Sequence, residues 1–94
     1  MTKVNLRYFA SVREALDATR EEADIRGGTV SDVLQWLVAS HGDKLIPMVF
    51  DPKKKLRGEY RVLHNGSVCL PASMAKERVA DGDEIVIMPP VAGG

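Results

Sequence analysis

Between Lys3 and Phe9 the side chains alternate, with Val4, Leu6 and Tyr8 apolar and Lys3, Asn5 and Arg7 polar. That two-residue period predicts a half-buried strand. Ser11-Val12-Arg13-Glu14 has the spacing of a capping box, in which the serine hydroxyl takes an orphan amide and the glutamate reaches back, so a short helix to about Asp17 should follow. Thr19 to Arg26 is polar apart from Ala23 and Ile25, which suits an exposed edge strand, and Gly27-Gly28 breaks it. From there Val30, Val33, Leu34, Leu37 and Val38 fall on one helix face, with Thr29 or Ser31 as cap and Gly42 closing the end.

Asp43 to Glu59 has no sustained period, and Pro47 and Pro52 forbid a long helix, so an irregular excursion is expected. Tyr60 to His64 and Ser67 to Leu70 flank Asn65-Gly66, the dipeptide that most readily takes positive φ at both central positions of a type I′ hairpin. Met74 to Val79 reads as a short helical or turn segment. Asp81-Gly82-Asp83 then turns the chain into Glu84-Ile85-Val86-Ile87-Met88, whose four consecutive apolar residues predict a central strand covered on both faces. The order is α+β: a mixed sheet of about five strands crossed by one main helix.

Length and composition narrow this further. Ninety-four residues make one domain, expected over 1–88 with an extended tail over 89–94. No apolar run approaches the roughly 18–20 residues of a membrane span, and Met1 to Asn5 lead into no apolar signal core, so the expected address is the cytoplasm, with no membrane partner. The lone Cys69 cannot form an internal disulfide, which favours a reducing compartment. Thirteen acidic and thirteen basic side chains leave no net field to attract phosphates, which argues against a nucleic-acid partner. The local exception is Lys53-Lys54-Lys55-Leu56-Arg57, read as a solvated loop, with a partner-docking patch as the alternative.

The chemistry concentrates at the end of the chain. Pro89 and Pro90 cannot donate to a sheet ladder and hold φ near −65°, so the chain must leave the sheet in a stiff, extended direction. At about 3.3 Å per residue, Pro89 to Gly94 span roughly 20 Å, enough to enter another protein's active site. Gly93 and Gly94 have no Cβ, so the backbone can pass a narrow channel and present an unhindered carboxylate on Gly94. Two closing glycines arise by chance in only about one chain in two hundred. A carboxylate resists nucleophiles until its oxygen is made a leaving group, and adenylation by ATP on a separate enzyme is the usual means. No metal site or bound cofactor is expected of the chain itself.

Pro89-Pro90-Val91-Ala92-Gly93-Gly94, following Asp81-Gly82-Asp83-Glu84 and an apolar strand, resembles the ending of the ubiquitin-like β-grasp sulfur carriers. Lys3-Val4 through Tyr8-Phe9-Ala10-Ser11-Val12-Arg13-Glu14 is similar to the opening of the small subunit of molybdopterin synthase, so the two matches bracket the chain. The excursion through Phe50-Asp51-Pro52 and the stretch Arg61 to Gly66 lean toward the archaeal small modifier branch. The thiamine-pathway carrier shares the diglycine, is typically shorter, and ranks lower. The resemblance implies a β-grasp fold and a carrier that is not itself an enzyme. An E1-like partner spends ATP to adenylate Gly94, and a sulfur donor then forms a thiocarboxylate for molybdopterin biosynthesis or tRNA thiolation. The large subunit of molybdopterin synthase is one implied partner. In the modifier branch the activated carboxyl instead joins target-protein lysines through isopeptide bonds. A β-grasp interaction module that is never activated is a third reading.

Gly93, Ala92, Val91 and Pro90 are the expected tail-recognition residues. Phe9, Val86 and Met88 lie off the core-facing set, so they are candidates for an exposed apolar docking patch, with core placement as the alternative. Cys69 is expected to be a packed thiol and not a sulfur relay. His41 is expected to close the long helix, where a cation suits the dipole, and His64 precedes the hairpin turn. Asp81, Asp83 and Glu84 are read as the solvated acidic rim of a turn.

Overall fold

The computed structural model describes residues 1–90. The elements follow in the order β1 (Thr2–Tyr8), α1 (Ala10–Leu16), β2 (Arg20–Ile25), α2 (Val30–Leu45), β3 (Arg61–His64), β4 (Ser67–Cys69) and β5 (Glu84–Met88), with a 3-10 turn at Pro71–Ser73. The strands form one sheet in the order β2-β1-β5-β3-β4. β1 and β5 run parallel, and the other neighbours pair antiparallel. This is the mixed, helix-crossed β-grasp sheet that the sequence predicts, with β2 at an edge and β5 in the middle.

The alternation in β1 decides its placement. Val4, Leu6 and Tyr8 are all buried and share the core with Ala23 and Ile25 of β2, Val62 of β3 and Ile85 and Ile87 of β5. Across this face lies α2, which buries Val30, Val33, Leu37 and Leu45. Each such aliphatic side chain taken out of water contributes about 1.5–3 kcal/mol before ordering entropy is charged against it. Leu34 and Val38 belong to the same helical stripe but lie at its flank, packed against the core and half-buried.

Thr29 caps α2. Its hydroxyl accepts from Asp32 N at 3.2 Å, while the Asp32 carboxylate accepts from Gly28 N at 2.9 Å and Thr29 N at 3.0 Å. Gly27 sits at φ 85°, and a Cβ there would lie 2.3 Å from Asp32 Oδ2, so the turn before the cap has no room for a side chain. The hairpin forms as predicted, with Asn65 at φ 50° and Gly66 at φ 86° between β3 and β4.

Three local expectations are corrected. Ser11 does not cap α1: Phe9 is the cap residue, no side chain supplies a capping bond, and Ser11 lies inside the helix, two residues too late. Gly42 does not end α2. The helix loses its geometry at His41 (φ −131°, ψ 16°), one residue before the expected stop, then resumes through Leu45, whose burial rewards the extra turn. His41 is therefore inside the element and not its closing residue. Its Nε2 lies 2.8 Å from Glu21 Oε1, the oxygen that also accepts from the Tyr8 hydroxyl at 2.8 Å, so the kink is tied to the edge strand. Burial first, and Glu21 second, raise the Tyr8 pKa. Met74 to Val79, expected as a short helical or turn segment, takes the turn form over residues 74–76 and then runs extended, with the 3-10 turn just before it.

Candidate functional site

The central strand leads to the candidate site. β5 is hydrogen-bonded along both edges, with Tyr8 opposite Ile87 on one side and Arg61 opposite Met88 on the other. Beyond Met88 come Pro89, half-buried, and Pro90, exposed, neither of which offers an N–H to either neighbour. The chain therefore leaves the sheet between the end of β1 and the start of β3. Of the expected tail-recognition residues, Pro90 is described and exposed at this exit. Val91, Ala92, Gly93 and Gly94 lie outside the described residues, as does the extended course expected for them.

Around the exit is the outer face of the sheet, the side away from α2. Register places Arg7 and Leu63 on either side of Val86, Arg61 beside Met88, and Val68 beside Leu63. The Phe9 ring, half-buried, carries the Arg7 guanidinium 5.2 Å from its centroid, a cation–π contact. Arg7 also reaches Glu84 at 3.5 Å, a surface pair that adds little stability. Val68 is 54% exposed and Met88 half-buried. Val86 differs from its fellow candidates: at 5% exposure it is nearly covered, although it is no part of the main core cluster. The structure thus brings Phe9, Val86 and Met88 onto one face, with Val86 as its floor and Phe9, Met88, Leu63 and Val68 as the groups a partner can touch. Leu63 and Val68 were legible as outward positions once the hairpin register was known, because each sits opposite an outward residue.

Cys69 is 2% exposed. Burial, then the Glu77 carboxylate beside it, pushes its thiol up to about 11, so it remains protonated at neutral pH and is a poor nucleophile.

The acidic rim expected at Asp81, Asp83 and Glu84 borders a turn, with Asp81 exposed and the other two half-buried, and it also makes structural contacts. Asp81 accepts from Lys3 N at 2.8 Å, and Asp83 accepts from Ala80 N at 2.9 Å. His64 lies between two carboxylates, its Nδ1 2.7 Å from Glu77 and its Nε2 2.7 Å from Asp83. Burial would lower the His64 pKa, but the two hydrogen-bonded carboxylates outweigh it and the net shift is upward. When protonated, His64 donates from both ring nitrogens and offers no lone pair to a metal. No sequence motif signals this cluster, because its members are 13 and 19 positions apart.

The model of the ThiS family matches residues 6–94. The chain belongs to that family. It is 35% identical over 89 residues to small archaeal modifier protein 1 of Haloferax volcanii, covering 94% of this chain and 97% of that protein. It is 33% identical over 96 residues to the molybdopterin synthase sulfur carrier subunit of Mycobacterium tuberculosis, covering the whole of both. The crystal structure of the Haloferax protein superposes with a TM-score of 0.82, covering 98% of this chain and 99% of that one at 32% identity. The family is one of ubiquitin-like sulfur carriers and modifiers, in agreement with the resemblance read from both ends of the sequence. A more distant neighbour, from the complex of subunits 1 and 2 of the Helicobacter pylori molybdopterin-converting factor, shares the fold at 19% identity and a TM-score of 0.65, covering 99% of this chain and 100% of that one.

Proposed function

We propose that this chain is a sulfur carrier whose reactive group is the Gly94 carboxylate. The carboxylate attacks the α-phosphate of ATP on an E1-like partner, pyrophosphate leaves, and a sulfide-level donor then displaces AMP to give a thiocarboxylate. The chain acts as substrate, and the partner supplies the catalytic groups. The observation that carries this reading is the position of β5: a strand locked on both edges hands the chain out through Pro89-Pro90 to a diglycine that lies within the matched family span. Force on the tail is resisted by two ladders of hydrogen bonds, so a partner can grip Val91, Ala92 and Gly93 without unravelling the domain. The outer face around Phe9, Met88 and Leu63 supplies the docking surface beside that exit.

The sulfur acceptor follows from the partner. Molybdopterin biosynthesis, through a large synthase subunit, is supported by the likeness to the mycobacterial subunit. The likeness to a protein named as a modifier supports a second use of the same activated carboxyl, an isopeptide bond to a lysine of a target protein. A reducing cytoplasm suits both, since the single thiol is buried and unpaired. The test is intact mass after incubation with an E1-like enzyme, ATP and a sulfur source. One oxygen-to-sulfur exchange, confined to the C-terminal peptide and absent when Gly93 and Gly94 are deleted, is expected. No such species under saturating conditions, or a cellular phenotype that survives the deletion, would leave an unactivated interaction module as the better account.

A further inference from the structure

On the helix side of the sheet lies a groove of about 1090 Å³. Leu34 and Val38, the flank of α2 that the sheet leaves uncovered, form one wall, and Ile46, Phe50 and Leu56 extend the apolar floor. Lys53, Lys54, Lys55 and Arg57 line the opposite rim. Among its described lining residues there is no aspartate or glutamate, although the chain as a whole carries equal numbers of acids and bases.

The basic rim is a built turn and not a loose loop. The Asp51 carboxylate accepts from Lys53 N at 2.8 Å and Lys55 N at 3.0 Å, and Lys54 N donates to Asp51 O at 2.8 Å. Lys54 takes φ 68° to close the turn, and Phe50 and Leu56 bridge its base. Backbone N–H groups of Lys55, first, and of Lys53 hold the Asp51 pKa below the ordinary carboxylate value, with a smaller contribution from the charges of Arg57 and Lys55. Arg57 is pinned through its Nε–H to the Pro47 carbonyl. No ion pair among the described residues engages any of the four cations.

A lysine run by itself is a solvated face. Here it stands over an apolar surface, and that combination selects its ligand. The wall runs from Ser31 to Ala39, about 12 Å at 1.5 Å per residue, the span of two turns of an incoming helix. No aromatic ring lies exposed in it for a base to stack on, because Phe50 and Tyr60 are both buried. We propose that this groove docks a short acidic, apolar segment of a partner protein. Its Leu- or Phe-type side chains seat on Leu34, Val38 and Leu56, and its carboxylates face Lys53, Lys55 and Arg57. The groove is lined mainly by α2 and residues 46–60 and not by β5 or Pro89-Pro90, so a partner held there leaves the exposed Pro90 uncovered by the groove itself.

The full ¹⁵N-labelled chain can be titrated with a peptide of about ten residues carrying Leu and Phe four apart among Asp and Glu. Parallel titrations use a peptide with the acids replaced by Lys, an acidic peptide without the apolar pair, a single-stranded RNA of similar length, and phosphatidylglycerol vesicles. Saturable amide shifts confined to Leu34, Val38, Tyr60 and residues 53–57 are expected with the first peptide alone. Affinity should fall by about tenfold or more in the Lys53→Gln/Lys54→Gln/Lys55→Gln variant, whose exposed positions leave the fold intact, and should fall again as salt is raised. No shifts at millimolar peptide, equal binding of the acidic peptide lacking Leu and Phe, or tighter binding of the RNA or the vesicles would overturn the proposal. So would the same shifts appearing without peptide as the chain is concentrated, which would mark a contact between copies.

Discussion

His64 Nε2 lies 2.7 Å from Asp83 Oδ2, and with the matching 2.7 Å contact from Nδ1 to Glu77 it ties the β3–β4 hairpin to the segment that leads into β5. A neutral imidazole has only one N–H, so both contacts are satisfied together only by the imidazolium.

That clamp gives stability a defined pH window. The His64 pKa is raised above its ordinary 6.5, so its contribution is complete below that value and is lost as pH rises through the folded-state pKa. The His64 hydrogen bond is the largest influence lowering both Glu77 and Asp83 from their ordinary 4.5 and 3.8, so their contributions are present above those values and are lost as pH falls through the folded-state pKa. Urea unfolding across pH should show a maximum between roughly pH 4.5 and 6.5 attributable to this cluster. His64→Gln should remove the decline on the alkaline side. An unchanged pH profile in that variant would show that the clamp contributes nothing.

Asp32 closes the start of α2 by accepting from two backbone amides and from the Thr29 hydroxyl. Asp32→Ala should cost about 1 kcal/mol, a fall in melting temperature of about 4–8 °C for a domain of this size. A thermal melt that moves by less than a degree would show the cap to be redundant.

Cys69 should be slow to react with a thiol reagent in the native chain and fast in denaturant, because burial and Glu77 keep it protonated. Cys69→Ala should leave thiocarboxylate formation at Gly94 intact. Loss of the thiocarboxylate in a variant that still melts cooperatively would mean that the thiol relays sulfur after all.

The outer face makes a separable prediction. Met88→Glu and Val68→Glu place charge at partly or largely exposed positions, so stability should change by roughly 0.5 kcal/mol or less while affinity for the activating enzyme falls at least about tenfold. Val86→Glu is a poor probe, since Val86 is nearly covered and a buried charge there would unfold the domain. Equal affinity of the Met88 and Val68 variants, measured by calorimetry, would move the docking site elsewhere.

How much of this was legible follows from how local each signal is. β1 and the Asn65-Gly66 hairpin came directly from period and turn chemistry, because both are decided within a few residues. The central place of β5 came from four apolar residues in a row, which only a strand covered on both faces accommodates. The end of α2 was misplaced because the glycine signal at Gly42 is weaker than the burial of Leu45, which depends on a surface the chain makes elsewhere. The His64–Glu77–Asp83 cluster was illegible, since nothing about a histidine before a turn says which carboxylates the fold will bring to it. The lysine run was visible, but its apolar companions Leu34 and Val38 looked like ordinary core from their helical spacing, and only the folded chain leaves them half-buried along the groove.

The last strand of the described residues, β5, fills the middle of the sheet, between the β1–β2 pair and the β3–β4 pair. Without β5 those two halves have no edge in common, and the core that holds Leu6 and Val62 lacks Ile85 and Ile87. Closure of the sheet therefore waits for β5. A variant lacking β5 would leave the β1–β2 and β3–β4 pairs as two unjoined pieces, and cooperative unfolding should be lost with it.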